Sequence, residues 1–293
     1  MKYLLAATAG FRIDSACMKW DIVHRTQYTY VSPVKNSYNE ARLRPFSNEE
    51  QTVETFELNV LPATKLNQYH DFYSNTVHHF EIVEPHSSLL IESRLRVAVH
   101  PFAPVPENIT PWPLERIAEA LKDTRSYEFL EVSRYVDISP EAWRLAVDAT
   151  IGQTDTWQAA LAIMRFVHRR LEYVPNSTTV HTHMRGVLQE GRGVCQDFAH
   201  VMIGLCRALK IPALYVSGYL ATETASATHA WTEVLVPTFG WRALDPTHNR
   251  QADETYVKIA VGRDYADVPP VTGTYKGTTD RSMEVDVKIK PAA

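Results

Sequence analysis

The sequence predicts an α+β fold, an antiparallel β-sandwich-like N-terminal domain followed by a domain in which helices pack on an antiparallel sheet. Three observations lead there: alternating apolar residues between 19 and 100, a proline-dense stretch at 101–113, and helical spacing beyond it that later returns to strands. Residues 1–17 carry one lysine and a short apolar run, then Arg12 and Asp14, with no convincing signal-peptide cleavage site. They are expected to be an unstructured lead-in to strand-like sequence that starts just after Met18.

In Ile91–Val99 the odd positions are mostly apolar and Glu92, Arg94 and Arg96 fall between them, the pattern of a half-buried strand. Phe56, Leu58 and Val60 repeat it, as do Tyr28 and Tyr30. Breaks are expected at Ser32-Pro33, Leu61-Pro62 and Ser74-Asn75, giving a β-rich domain over 18–100. Pro101, Pro104, Pro106, Pro111 and Pro113 make 101–113 an extended connector. Beyond it, 114–293 forms the second domain. Ser139-Pro140-Glu141 opens a helix with a capping residue and a proline at its first position. Trp157, Leu161, Met164, Val167 and Leu171 mark a longer one. A central helix should begin near Val194, bury Phe198, Val201, Met202, Leu205 and Leu209, and stop at Ile211-Pro212. Strands are expected at Ala213–Leu220, Thr228–Val236 and Trp241–Asp245, and again around Met283, Val285, Val287 and Ile289.

Composition narrows the function classes. The 293 residues carry a net charge of −4 with histidines neutral, so no global field draws nucleic acid or anionic membrane. No apolar stretch approaches the roughly 20 residues of a membrane span. Of the three cysteines, Cys17 falls in the lead-in, while Cys195 and Cys206 stand about 16 Å apart along one helix and cannot bridge. A reducing, cytoplasmic compartment is expected. Cys206, mid-helix beside Leu205 and Leu209, reads as a small buried hydrophobe.

Cys195 reads differently. In Gly191-Arg192-Gly193-Val194-Cys195-Gln196-Asp197 two glycines permit a tight approach, and the thiol sits in the first helical turn, where free N–H groups and the helix dipole favour a thiolate. His229 lies on one predicted strand and Asp245 ends the next. A hairpin centred on Pro237 would oppose them directly, so that the aspartate orients the ring and leaves its other nitrogen for the thiol. A turn shifted towards Phe239-Gly240 would spoil that pairing unless a bulge corrected it.

Three segments, GVCQDFAHVMIGLCRALKIPALYVSGYL, THAWTEVLVPTFGWRALDPTHN and VGRDYADVPPVTG, resemble the transglutaminase-like cysteine enzymes of bacteria and archaea. His24–Tyr30, Ser32-Pro33-Val34, Arg42–Pro45 and Asp71–Asn75 resemble the β-rich region that precedes that core in bacterial members. The resemblance implies a papain-like transglutaminase core. In it Cys195 attacks a carboxamide or peptide carbonyl, His229 moves the proton, Asp245 orients His229, and a thioester passes to water or an amine. The leading expectation is a cysteine peptidase or amidase acting on a peptide or protein. The alternatives are a protein-glutamine γ-glutamyltransferase and a non-catalytic binding scaffold.

Several residues carry secondary readings. The backbone N–H of Cys195 is the natural first oxyanion donor, and Tyr173 is a candidate second donor or a packing residue. Trp231 could wall the pocket or fill the core. Asp264, Tyr265 and Asp267 make either a substrate-side loop or a structural closure. Asp197 suits the helix dipole and His200 a structural hydrogen bond. His181, His183 and His248 form no recognisable ligand spacing, so no metal is expected; no acidic loop suggests calcium, and no cofactor is expected.

Overall fold

The structure, a computed structural model, describes residues 17–101, 112–120, 126–221, 228–237, 239–278 and 280–292. Most of the expected lead-in and of the proline-dense connector lies outside the described residues. No helix among them is long and apolar enough to cross a membrane.

The N-terminal half is organised by one strand, β1 (Met18–Arg44). It runs through Ser32-Pro33 instead of breaking there. Proline has no N–H to donate, so pairing lapses locally and the partner register jumps from Thr29 to Val34 while the strand bends onward. Its first half lies between β5 (His86–Val99) and β14 (Arg281–Pro291), its second between β4 (Thr76–Ile82) and β13 (Val271–Lys276). With β2 (Gln51–Leu61) beside β5 and β3 (Asn67–His70) beside β4, these strands form one curled seven-stranded sheet. Val34, Leu43, Phe80, Leu89 and Ile91 fill its interior. The alternation around Met283–Ile289, grouped from sequence with the second half, belongs to β14 in this first sheet, where Ile22 pairs with Ile289.

The second half begins with α1 (Ile117–Ala120), α2 (Pro140–Ala149) and α3 (Thr156–Arg170). Ser139 caps α2 by accepting from the Ala142 N–H at 3.2 Å, and Asp155 caps α3 through Gln158 at 3.0 Å. Two-residue strands β6 (Glu172–Tyr173) and β7 (Arg192–Gly193) flank α4 (Met184–Glu190) and lead into α5 (Cys195–Ala208). This last helix ends four residues before Pro212, with Lys210 in the left-handed region at φ 63°. Behind it lies a five-stranded sheet of β8 (Ala213–Leu220), β9 (Thr228–Val236), β10 (Gly240–Asp245), β11 (Arg250–Gln251) and β12 (Tyr256–Gly262), ordered β11-β10-β9-β8-β12.

One core joins the halves. Trp20, Ile22, Leu95, Val97 and Val99 of the first sheet pack into the same cluster as Phe198, Val201 and Leu205 of α5. Polar seams close the joint. The Gln51 amide donates to the Lys258 carbonyl at 2.7 Å and accepts from its N–H at 3.0 Å, while Asn75 makes the same pair with Val261 at 2.8 Å each way.

Gly218 of β8 sits opposite His229 in the ladder, and a Cβ there would collide with the Val257 carbonyl and fall 2.5 Å from the Trp231 ring. Gly218→Ala is therefore expected to cost on the order of 1–3 kcal/mol by overpacking. Gly186→Ala, on α4 with open space around it, should be neutral or gain about 0.5–1 kcal/mol. Urea midpoints of the two variants check the contrast; equal midpoints would refute it.

Candidate active site

Cys195 is the first residue of α5, at the bottom of a tight entry. Asp197 ties this entry together: its Oδ2 accepts from the Val194 N–H at 2.8 Å and from the Thr178 hydroxyl at 2.5 Å. Gly193 must be glycine because a Cβ would lie 2.7 Å from the Asp197 Cβ. Burial pushes the Asp197 carboxyl up, against the hydrogen bonds from Thr178 and Val194. The helix dipole suggested from sequence thus accompanies a more specific task, holding the turn that presents the thiol.

His229 is buried on β9 and Asp245 is completely buried at the end of β10. His229 Nε2 lies 2.7 Å from Asp245 Oδ2. The pairing expected from a Pro237-centred turn does not occur. Val236 pairs with Gly240 and Thr232 with Leu244, a frame that carries Asp245 opposite Trp231. Gly240 causes the shift by adopting φ 75° after Phe239, whose N–H bonds the Val236 carbonyl at 3.0 Å. His229, two residues from Trp231 on the same strand face, still reaches the carboxylate diagonally.

Asp245 accepts from every side. Oδ2 also receives His248 Nδ1 at 2.8 Å and the Tyr256 hydroxyl at 2.7 Å, while Oδ1 receives the Thr247 and His248 N–H groups at 2.8 and 3.2 Å. Burial alone would raise its pKa, but the bonds from His229 and His248 hold it well below the carboxylate range. Burial likewise disfavours a charged His229. Hydrogen bonds to Asp245 and Cys195, with their negative charge, outweigh it and push the imidazole up to about 9. With Nε2 turned to Asp245, Nδ1 is the nitrogen left for Cys195. His229, Asp245 and His248 are also the one cluster of metal-ligand type among the described residues. Both nitrogens sit at hydrogen-bond distance from one oxygen, the geometry of a hydrogen-bonded carboxylate.

Cys195 and His229 open onto a cavity of about 300 Å³. Its far wall belongs to the N-terminal sheet: His24, Thr26 and Tyr28 of β1 with Met283 and Val285 of β14. His24 is fixed by the Tyr219 hydroxyl at 2.8 Å and Thr26 Oγ1 at 3.2 Å, and burial lowers its pKa to about 4, leaving it neutral. A larger cavity of about 850 Å³ beside Trp143 and Leu209 has no cysteine or histidine in its lining.

The other sequence candidates divide. Tyr265 lines the 300 Å³ cavity, whereas Asp264 is buried behind it, accepting from Tyr135 N–H at 2.7 Å and Ala266 N–H at 2.8 Å. Asp267 holds Arg263 at 2.9 Å. Trp231 is 1% exposed and stacks against His229 at 6.2 Å, backing the histidine from the core instead of facing the cavity. Tyr173, paired to Gly193, is 52% exposed and is not among the cavity's lining residues. Cys206 is buried and its thiol is pushed up to about 12. His200 Nε2 accepts the Tyr265 N–H at 3.1 Å. Tyr215 is the residue that sequence reasoning passed over. It lines the cavity, and burial with the Cys195 charge drives its pKa well above 10. It lies in an all-apolar-looking strand, Ala213-Leu214-Tyr215-Val216, so only the fold reveals it.

Comparison with known proteins agrees with this organisation. A family model described as the transglutaminase-like superfamily matches residues 144–246, and one described as the bacterial transglutaminase-like N-terminal region matches 20–98. The uncharacterized protein ML0607 of Mycobacterium leprae is 35% identical over 277 residues, covering 92% of this chain and 97% of its own. The uncharacterized protein Rv2569c of Mycobacterium tuberculosis is 32% identical over 298 residues, covering 94% of each. A crystal structure from Cytophaga hutchinsonii, named a "Putative Cysteine Protease", superposes with a TM-score of 0.79 at 24% identity over 95% of this chain and 92% of that one, which establishes a shared fold. The chain belongs to the transglutaminase-like superfamily, in the bacterial group that carries this N-terminal region.

Proposed function

We propose that the protein is a thiol enzyme that cleaves amide or peptide bonds through a thioester, acting chiefly as a peptidase or amidase in a reducing, cytoplasmic compartment. The observation that carries the proposal is the placement of Cys195 and His229 on one cavity, with His229 Nε2 held 2.7 Å from the buried Asp245 carboxylate. A histidine charged at neutral pH is the partner a thiolate needs.

Cys195 Sγ attacks the carbonyl carbon and a C–S bond forms. The oxyanion accepts from the Cys195 backbone N–H, and the Tyr215 hydroxyl serves as second donor in the role first considered for Tyr173. His229 gives its proton to the leaving nitrogen as the C–N bond breaks. A water, deprotonated by His229, then attacks the thioester and releases the acid and the thiolate. No Asp or Glu lines this cavity among the described residues, so no carboxylate is supplied there to hold a cationic amine in place of water. That favours hydrolysis over transfer.

Cys195→Ala is expected to abolish hydrolysis of peptide substrates, by at least about 10⁴-fold, while Cys206→Ala keeps it. Ammonia or peptide release, measured with and without a labelled amine, is the assay. Amine incorporation that dominates over hydrolysis would assign a γ-glutamyltransferase instead.

Asp245→Asn should lower kcat roughly 10³–10⁴-fold and bring the His229 pKa from about 9 to below its ordinary 6.5, because burial is then opposed only by Cys195. NMR of labelled histidine reads the shift. A folded value above the unfolded one stabilises the protein fully below pH 6.5, and the contribution is lost as pH rises through 9. The urea midpoint of the wild type, relative to His229→Gln, should therefore fall between those values; a flat difference would contradict the assigned ion pair. Tyr215→Phe should reduce kcat about 10–100-fold with KM little changed, and Tyr173→Phe should leave both near wild type.

A further inference from the structure

We infer that the active-site cleft continues into a carboxylate-binding subsite formed by Arg134 and Arg281, which holds an acidic group of the peptide substrate; this rests on assigning the Cys195 cavity as the substrate site. A second cavity, of about 320 Å³, shares Tyr28, Val180, Tyr265, Val271 and Met283 with the Cys195 cavity, so the two are compartments of one cleft. Arg281 opens β14 on the first sheet, and Arg134 lies in the segment before α2 of the second half. Both line this compartment, one from each half of the chain.

Their setting differs from that of the ion-paired arginines. Arg96 pairs with Asp21 at 2.7 Å and Arg263 with Asp267 at 2.9 Å, but neither Arg134 nor Arg281 makes an ion pair among the described residues. Each stacks on tyrosine instead. The Arg281 guanidinium lies 5.3 Å from the Tyr28 ring and 5.6 Å from the Tyr275 ring, and that of Arg134 5.6 Å from Tyr135. Stacking fixes the plane of a guanidinium through its face and leaves its N–H edge for a ligand. No Asp or Glu lines the compartment among the described residues. Two guanidinium groups over aromatic rings, with no Asp or Glu in the lining, match a carboxylate, which a guanidinium binds through two parallel N–H bonds. The carboxylate comes from an Asp or Glu side chain or from a peptide C-terminus.

Binding to the full-length Cys195→Ala protein tests this without any chemistry. The probes are fluorescein-labelled alanine hexapeptide amides with one Gln, in which a second position is scanned with Glu or Gln, plus the same Gln peptides ending in a free acid. At one position Glu, or the free acid, should tighten Kd at least tenfold over its neutral counterpart, and high salt should erode the gain. Arg134→Gln and Arg281→Gln should each remove most of it without changing Kd for the neutral peptide, and Arg281→Lys should retain part. Loss with the Glu scan assigns a side chain; loss with the free acid alone assigns a terminus. Preference below twofold at all positions, or preference that survives the double variant, would overturn the subsite. Iodoacetamide labelling of the Cys17→Ala protein, which lacks the exposed thiol, reads Cys195 separately: an inert thiol with acidic preference intact would remove the acyl-transfer proposal and leave the subsite standing.

Discussion

A fully buried carboxylate is the constraint on which the second half of the molecule turns. Removing a charge from water costs several kcal/mol unless it is thoroughly paired and hydrogen-bonded. Asp245 meets that demand with donors from separate segments: His229 on β9, Tyr256 on β12, and His248 with the Thr247 backbone in the turn that follows β10. Each donor must arrive for the charge to be tolerated, so the strand register, the turn and the placement of β12 are coupled through one side chain. The charge of His229 follows from the same arrangement, since a buried imidazole without that anion would be held neutral.

The thiol is positioned by a second, independent device. Gly193, Asp197 and Thr178 close the approach to α5, and Asp197 does so as a buried acceptor inside the first helical turn. Neither device alone makes a substrate site. The cavity above them is completed by β1 and β14, strands that lie at opposite ends of the sequence. The N-terminal sheet is therefore a wall of the cleft, and His24 and Tyr28 shape what can approach the sulfur.

Much of this was readable in the residues. The helix start at Cys195, the strands carrying His229 and Asp245, and the α+β order follow from local periodicity and the glycines before the helix. The hairpin frame did not, because Pro237 and Gly240 both suit a turn and the choice between them depends on the conformation Gly240 adopts. A shift by two positions left every side chain on its own face, and the contact survived as a diagonal one. The continuity of β1 through Ser32-Pro33 was hidden for a related reason: sequence shows where pairing lapses, not whether the chain resumes in line. Tyr215 and the far wall escaped entirely, since a cavity made by strands far apart in sequence has no local signature.

The seams at Gln51 and Asn75 have a consequence of another kind. β12 is an outermost strand of its sheet, and its Lys258 and Val261 backbone groups are paired by the side-chain amides of Gln51, which opens β2, and Asn75, just before β4. An unguarded strand edge is a template for pairing with other chains, and hence for aggregation. The two amides occupy that template without forming a ladder, so the N-terminal sheet also acts as an intramolecular edge guard. A core severed from its N-terminal region would bare both the apolar face under Trp20 and this edge at once.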